Sequence, residues 1–327
     1  MPPVAPFVRP DVANLLAMLA SAPGPKMEEG SPENARQMMR MMGSMTERPR
    51  GDLAHVRDFA IPAGHGDIPA RAYSAAAAPG PGPVIVYFHG GGWVIGDLET
   101  HDSLCAEIAR VSGMTVVSVD YRLAPEHRFP AATEDCLTAM RWLATTPKAI
   151  GHDITGLIPA GDSAGGNLAA VVTQVLHGQL PVPIVAQWLI YPGVDMTATT
   201  GSMAEFADGY LLTAAGMAWF SAHYMGPEPD LLHPYASPLH VASLAGLPPA
   251  MVFTCGLDPL RDQGRAYAAK LIAAGVDVSF LEAAGQIHGC MTLRGAIPST
   301  QGDLHACLAA LKLMIDAAAP ALAQAAE

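Results

Sequence analysis

The chain is poor in the residues that mark several common protein classes. Its five cysteines include no C-x-x-C pair and are odd in number, which argues against a disulfide framework. Lysine and arginine total 18 against 30 aspartates and glutamates, and the net charge of -12 leaves no basic stripe that could bind phosphates. We therefore predict no nucleic-acid partner and reduced, mostly buried cysteines, which are Cys105, Cys136, Cys255, Cys290 and Cys307.

Hydrophobic runs long enough to span a bilayer are also missing. Uncharged stretches such as residues 180–194 are short and interrupted by prolines. The N-terminus lacks a basic segment followed by an apolar one, so no secretory signal is predicted. No G-x-G-x-x-G motif, P-loop or internal repeat occurs. We predict a cytoplasmic protein without a membrane span, cofactor or metal, and a homodimer is compatible with these features.

From about residue 55 the chain alternates short β-rich runs with helical patterns, which is typical of a sheet built from βαβ units. Several runs are continuously apolar, as expected when helices cover both faces of a mostly parallel sheet. Residues 55–74 are more polar and predict an antiparallel edge hairpin. The predicted strands are 84–88, 115–119, 156–160, 185–191, 250–255 and 278–282, and the predicted helices are 103–111, 132–143, 167–177, 262–274 and 305–322.

Two stretches depart from this alternation and are interpreted as parts of a helical cap. Residues 1–50 hold two helical patterns and eight of the 17 methionines, and residues 195–240 are rich in aromatic side chains. The predicted α/β core then consists of residues 51–194 and 241–327, which together with the cap form one catalytic domain.

Flexible methionines suit an adaptable apolar pocket, although each one could equally pack against the body of the protein. On this basis we predict a set of residues that contact the substrate. They are Met38, Met42, Trp93, Phe206, Tyr210, Leu211 and Met291.

The run Gly161-Asp162-Ser163-Ala164-Gly165 has the form G-x-S-x-G and lies between a strand-like and a helix-like segment. A serine exposed at such a sharp turn adopts a strained backbone with positive φ, and bulky neighbours two residues away would collide. A G-x-S-x-G sequence also arises by chance in a chain with 32 glycines. Its context makes Ser163 a candidate nucleophile.

A serine nucleophile needs a histidine base and an acid, which follow it in the order serine, acid, histidine in α/β-hydrolases. Of the six histidines beyond Ser163, His288 follows a predicted strand in a glycine-rich turn, whereas His305 is assigned to the closing helix. Asp258 follows the preceding predicted strand and is favoured as the acid over Asp195, which opens the cap insertion. Asp262 has the alternative role of a helix-start charge.

The oxyanion of an acyl-transfer intermediate needs preorganised hydrogen-bond donors. His89-Gly90-Gly91-Gly92-Trp93 follows a buried strand, and its glycines allow backbone N–H groups to approach a substrate closely. The N–H of Ala164 is a third donor, at the start of a helix whose dipole favours negative charge. His89 itself is interpreted as an anchor for this loop.

The motifs together resemble the bacterial hormone-sensitive-lipase-like esterases, also called family IV lipolytic enzymes. The matching segments, which cover nearly the whole chain from about residue 55, are 89–93, 120–127, 129–132, 161–167, 258–262 and 288–289. The resemblance implies an α/β-hydrolase with a helical cap and a triad of Ser163, Asp258 and His288. It also implies an oxyanion hole from Gly91, Gly92 and Ala164, with Gly90 as a further option.

The implied activity is cofactor-free hydrolysis of a small-molecule ester with a short to medium acyl chain. One departure from the family is Cys290 followed by Met291, where a phenylalanine is frequent, so the pocket near His288 is expected to differ in shape. Arg122 and Glu126 are interpreted as braces for loops beneath the site. Hydrolysis of an amide, lactone or carbamate, and a receptor without turnover, are the alternative functions.

Overall fold

The computed structural model of the chain describes residues 6–21 and 24–325, with side chains described up to residue 317. The predicted cap segment 1–50 and core segment 241–327 therefore each include residues outside the described part of the chain. Residues 1–5, 22–23 and 326–327 lie outside the described part, and what the sequence predicts for them stays a prediction.

Eight strands of the described residues form a single sheet in the order β1-β2-β4-β3-β5-β6-β7-β8. Strand β2 pairs antiparallel with β1 and β4, and the other neighbours are parallel, so the predicted edge hairpin and mostly parallel sheet are confirmed. The strands are β1 His55–Ile61, β2 Ile68–Ser74, β3 Gly82–Phe88, β4 Thr115–Val119, β5 Ile154–Asp162, β6 Gln187–Ile190, β7 Ala250–Leu257 and β8 Val278–Ile287.

The helices cover both faces of this sheet. The apolar core on one face contains residues of α4, α5 and α8, and the core on the other face contains residues of α1, α3 and α9. The buried central strands contribute side chains to both cores. The helices are α1 Pro10–Ser21, α2 Pro32–Thr46, α3 Asp102–Ser112, α4 Ala131–Leu143, α5 Ala164–Leu176, α6 Ser202–Glu205, α7 Ala214–Met225, α8 Arg261–Ala273 and α9 Thr300–Ala325.

Several strand boundaries differ from the predicted ones, and two of these differences have a local reason. Strand β6 ends at Ile190 because Tyr191 has φ of 33°, which takes the backbone out of the extended conformation. Strand β8 continues to Ile287, five residues further than predicted, since Ile287 pairs with Leu257 across a register shift. Both changes lie at the carboxyl ends of their strands, which is the side of the sheet where the candidate site is found.

The N-terminal segment divides into two parts with different positions. Val12 and Leu15 of α1 are buried in the core beside α9, and Arg9 forms an ion pair of 2.6 Å with Asp303, so α1 packs on the body of the protein. The turn of 3₁₀ helix at Met27–Glu29 instead contacts α7 of the insertion between β6 and β7. The two parts of the predicted cap segment 1–50 therefore contact different neighbours, α1 the body of the protein and the 3₁₀ turn the insertion.

None of the helices in the described part of the chain is both long and apolar enough to cross a bilayer.

Candidate active site

Ser163 lies at the turn between β5 and α5 with φ of 56° and ψ of -117°, a strained conformation for a residue with a side chain. The glycines on either side are sterically required. A Cβ atom on Gly165 would lie 1.8 Å from the carbonyl oxygen of Phe88, and one on Gly161 would lie 2.4 Å from that oxygen. The tight packing of β5, α5 and β3 thus fixes the serine at the carboxyl end of the sheet.

A continuous hydrogen-bonded chain joins three of the predicted site residues. Nε2 of His288 lies 2.8 Å from Oγ of Ser163, and Nδ1 of His288 lies 2.8 Å from Oδ2 of Asp258. Asp258 is fully buried and His288 nearly so. The other carboxylate oxygen of Asp258 accepts a hydrogen bond of 2.8 Å from the N–H of Leu260, which fixes the rotation of the carboxylate. The arrangement can transfer a proton from the serine to a preoriented imidazole.

The competing acids lie elsewhere. Asp195 Oδ1 is 2.9 Å from Nε2 of His240 and does not contact His288. Asp262 lies in the first turn of α8, where its carboxylate accepts from the N–H of Ser202 at 2.8 Å. Asp258 is therefore the carboxylate that meets the histidine beside Ser163.

Gly91, Gly92 and Ala164 line the same cavity as Ser163, and within the residues that the structure describes their amide N–H groups donate to no protein acceptor. Free amides at this position suit a developing oxyanion. The fourth predicted donor, Gly90, is different because its N–H donates to Oδ1 of Asp162 at 2.9 Å. Gly90 is thereby removed from the set of available donors.

Asp162, the residue before the serine, ties the glycine loop to the sheet. Its buried carboxylate accepts from the N–H of Gly90 and from the hydroxyl of Tyr87, each at 2.9 Å, and its Oδ1 lies 3.2 Å from Nε2 of His101. Burial acts to raise the pKa of Asp162, but the charge of His101 and the hydrogen bond from Tyr87 favour the charged form, and the pKa lies below its ordinary value. One side chain therefore sets the position of the glycine loop relative to the serine.

His89 is the anchor that the sequence analysis describes. It is fully buried, its Nδ1 lies 2.8 Å from the carbonyl oxygen of Gly90, and its ring stacks on Tyr121 with 4.2 Å between centroids. Burial, followed by the charge of His101, lowers the pKa of His89 to about 4. The imidazole is consequently neutral at physiological pH and lies outside the chain that contains His288.

The residues after β4 brace the site through two ion pairs. Arg122 contacts the buried carboxylate of Asp135 at 2.8 Å, and Glu126 is 2.6 Å from Arg36 of α2. The second pair joins the helix that carries several cap methionines to the body of the protein.

Asp120 at the end of β4 provides a prediction about pH. Burial and, secondly, the charge of Asp97 raise the pKa of Asp120 to about 6. The native state thus binds this proton more tightly than the unfolded chain, and the free energy of unfolding falls as pH rises from about 4 to about 6. Because asparagine cannot ionise, Asp120→Asn should raise the free energy of unfolding at pH 8 by roughly 1–2 kcal/mol.

Urea unfolding of both proteins at pH 4 and pH 8 measures this difference. The stabilisation should be present at pH 8 and shrink at pH 4, where the wild-type carboxyl is also neutral. Equal or lower stability of the variant at pH 8 would contradict the assignment.

Above Ser163 lies a cavity of about 270 Å³. Its wall is mostly apolar and includes six methionine side chains, which makes it adaptable in shape. Much of its lining is contributed by the 3₁₀ turn before α2, by α2, and by the insertion between β6 and β7. The lining methionines are Met27, Met39, Met42, Met196, Met203 and Met217.

Three of the seven predicted substrate-contacting residues, Met42, Trp93 and Leu211, line this cavity. The other four lie outside its lining, and the prediction is corrected for them. Met38 does not line the cavity although it lies one helical turn before Met42 on α2, and Met291 is fully buried in the core beside α9.

The two aromatic residues among those four are held by their neighbours. Phe206 is buried beneath the guanidinium of Arg261 at 5.0 Å and packs edge-on against Tyr210. These contacts keep both rings away from the space above the serine.

Sequence reasoning left several lining residues out of the predicted set. Met217, Phe220 and Ser221 all line the cavity and have the i, i+3, i+4 spacing of one face of α7. That spacing is a signal in the sequence, but nothing in it indicates which face of the helix points inward. Gln263 was also missed, although it lies directly after the segment 258–262.

All five cysteines are free and buried. Sγ of Cys290 lies 3.7 Å from Sγ of Cys255, and Cys290 does not line the cavity. Among the described residues, no cluster of three or more His, Cys, Asp or Glu side chains could hold a metal ion.

The fold, the strained serine and the hydrogen-bonded chain define an α/β-hydrolase. In agreement, a sequence profile described as the α/β-hydrolase fold matches residues 85–292. The chain belongs to this family, in its group of hormone-sensitive-lipase-like carboxylesterases.

Individual relatives also support this family assignment. The chain is 42% identical to the carboxylic ester hydrolase LipN of Mycobacterium tuberculosis over 77% of its own length and 69% of that protein. It is 40% identical to the esterase LipI of the same organism, over 92% and 94% of the two chains. Among solved structures, it is similar to the ester hydrolase EH1AB1 from the metagenome of Lake Arreo, with a TM-score of 0.90, 36% identity, and coverage of 94% and 99%.

Proposed function

We propose that this chain is a serine carboxylesterase that hydrolyses esters of short to medium acyl chain through an acyl-enzyme. The observation that carries the proposal is the unbroken chain from Ser163 through His288 to Asp258 at the floor of an apolar cavity. Relatives named as esterases and carboxylic ester hydrolases support an ester as the substrate.

In the first half of the reaction, Oγ of Ser163 attacks the ester carbonyl carbon while Nε2 of His288 takes the hydroxyl proton. The carbonyl oxygen becomes an oxyanion, to which the N–H groups of Gly91, Gly92 and Ala164 donate. As the bond between carbon and the leaving oxygen breaks, His288 returns the proton to the alcohol.

In the second half, water takes the place of the alcohol. His288 accepts a proton from the water as it attacks the acyl-enzyme, then gives that proton to Oγ of Ser163, and the carboxylic acid leaves. Asp258 accepts a hydrogen bond from Nδ1–H throughout, which holds the imidazole in the tautomer with a free Nε2 and stabilises its charged form.

The remaining parts of the proposal concern the setting of this reaction. Residues 1–50 and 195–240 act as the cap, with the part of the first segment after α1 covering the cavity, and residues 51–194 and 241–327 act as the core. Five buried thiols suit the reducing cytoplasm. The net charge of -12 supports a small-molecule substrate over a nucleic acid. A homodimer stays a prediction, which analytical ultracentrifugation tests.

The size of the cavity predicts the preferred acyl length. Its volume of about 270 Å³ is at the small end of ligand pockets, so a long acyl chain must leave part of its length outside. In a series of p-nitrophenyl esters from acetate to palmitate, kcat/KM should be highest for short to medium chains and fall by at least about tenfold at palmitate. A kcat/KM that rises steadily to palmitate would instead indicate a lipase.

A further inference from the structure

Gln263, in the first turn of α8, is a polar side chain in the wall of an otherwise mostly apolar cavity. It is 6% exposed, so its amide is almost entirely removed from solvent. Nothing in the reaction described above uses it. Leaving a buried amide group without a hydrogen bond costs free energy. The groups of Gln263 that have no strong protein partner therefore indicate what a ligand would have to supply.

The orientation of the Gln263 amide is fixed by two backbone donors. Its Oε1 accepts from the N–H of Val194 at 3.0 Å and from the N–H of Asp195 at 2.9 Å. Two N–H groups converge on this atom, so it is the oxygen, and the amide nitrogen must occupy the other position.

The amide nitrogen has two N–H donors and a single weak partner. Among the described residues, the one acceptor within hydrogen-bonding distance of Nε2 is the thioether sulfur of Met203, at 3.7 Å. A thioether is a weak acceptor, and Met203 itself lines the cavity. Donor capacity of Gln263 is thus left for an acceptor inside the cavity.

The charge around this position restricts the acceptor. Asp195 also lines the cavity, and hydrogen bonds from Thr197 and His240 to its Oδ1 keep its pKa below the ordinary value in spite of burial. An anionic acceptor would be repelled by this carboxylate, whereas a neutral oxygen would not. The position is also close to the reacting atoms, because Gly193, the residue before Val194, donates its N–H to the carbonyl oxygen of Ser163 at 3.3 Å.

We propose that Gln263 determines specificity by donating an N–H to a neutral oxygen, such as a ketone or hydroxyl, carried by the substrate away from its scissile ester. The preferred substrates are therefore oxygenated esters, in preference to plain alkyl esters of the same size. This inference rests on the proposed esterase function.

The experiment compares kcat/KM, by titration of released acid, within pairs of isosteric substrates. One series consists of methyl octanoates that each carry a single ketone, placed at the fourth, fifth, sixth or seventh carbon. Each matched ester carries an exocyclic methylene group at the same carbon. A second series places the same two groups along the alcohol part of hexyl acetate. For wild-type enzyme, kcat/KM of the ketone should exceed kcat/KM of its methylene isostere by about tenfold at one position of one series.

Gln263→Glu then tests the residue itself. The glutamate retains one oxygen for the two backbone donors but presents a second oxygen to the cavity, so the ratio of ketone to methylene should fall to about one or below. The ratio cancels any change in activity that both substrates share. Gln174→Glu is the matched control, because Gln174 donates to Pro238 and Tyr267 outside the cavity, and its ratio should equal that of wild type.

Two results would overturn the inference: a ratio near one at every position for wild-type enzyme, or an unchanged preference in Gln263→Glu. The wild-type series decides on its own if the variant does not fold. Hydrolysis of neither parent ester, methyl octanoate nor hexyl acetate, would instead refute the esterase function on which the inference rests.

Discussion

Replacing Ser163 with alanine should lower kcat/KM for p-nitrophenyl butyrate by about 10⁴-fold or more, since loss of a triad nucleophile leaves only binding and oxyanion stabilisation. The Oγ atom of Ser163 has one hydrogen-bonding contact in the described protein, to Nε2 of His288 at 2.8 Å. Alanine keeps the Cβ atom at the strained turn, so the fold should be retained. Steady-state kinetics with a thermal-unfolding curve measure both effects.

The matched control for this variant is Ser118→Ala. Ser118 is fully buried in β4, and its hydroxyl has no hydrogen-bond partner in the described protein. Removing it should change kcat/KM by less than about twofold, because the side chain lies away from the cavity. Retention of most activity by Ser163→Ala, with Ser118→Ala behaving as expected, would refute the role of Ser163.

Asp258→Asn should lower kcat by about 10⁴-fold, as expected when the histidine is held in the wrong tautomer. The N–H of Leu260 requires an acceptor, so the carboxamide oxygen of the asparagine should face Leu260 and its NH₂ group should face Nδ1 of His288. Nδ1 must then be the acceptor, which puts the proton on Nε2. An imidazole in that form cannot take the proton from Ser163.

Asp135→Asn is the comparison for Asp258→Asn. Asp135 is equally buried and accepts hydrogen bonds from Arg122, but it does not line the cavity. The variant should lose stability through that pair while kcat of the folded enzyme stays within a few-fold of wild type. A similar kcat for Asp258→Asn and Asp135→Asn would show that Asp258 acts only on stability.

Much of the fold could be predicted because its signals are local. The buried strands read as continuous apolar runs, and the edge hairpin reads as an alternating one. The position of α1 could not be predicted, because Val12 and Leu15 give it an apolar face that fits either the cap or the body. The ion pair of Arg9 with Asp303, 294 residues apart, lies on the body side and has no counterpart in the local pattern.

The candidate site likewise has features that could be predicted from the sequence and features that could not. Chain order and the placement of residues after strands were enough to propose Ser163, Asp258 and His288, since the carboxyl ends of parallel strands meet at one edge of a sheet. Whether Gly90 is a free donor could not be predicted from the sequence, because its hydrogen bond to Asp162 depends on how two loops approach each other. The lining of the cavity depends on the rotation of α2 and α7, which tertiary contacts decide.

The most direct test of the central claim is the site of covalent modification by a fluorophosphonate, read by mass spectrometry of the intact protein and of its peptides. The proposed mechanism predicts one adduct per chain, carried by the peptide that contains Ser163, and no adduct on Ser163→Ala. Labelling at another residue, or equal labelling of the variant, would contradict Ser163 as the nucleophile of an acyl-enzyme.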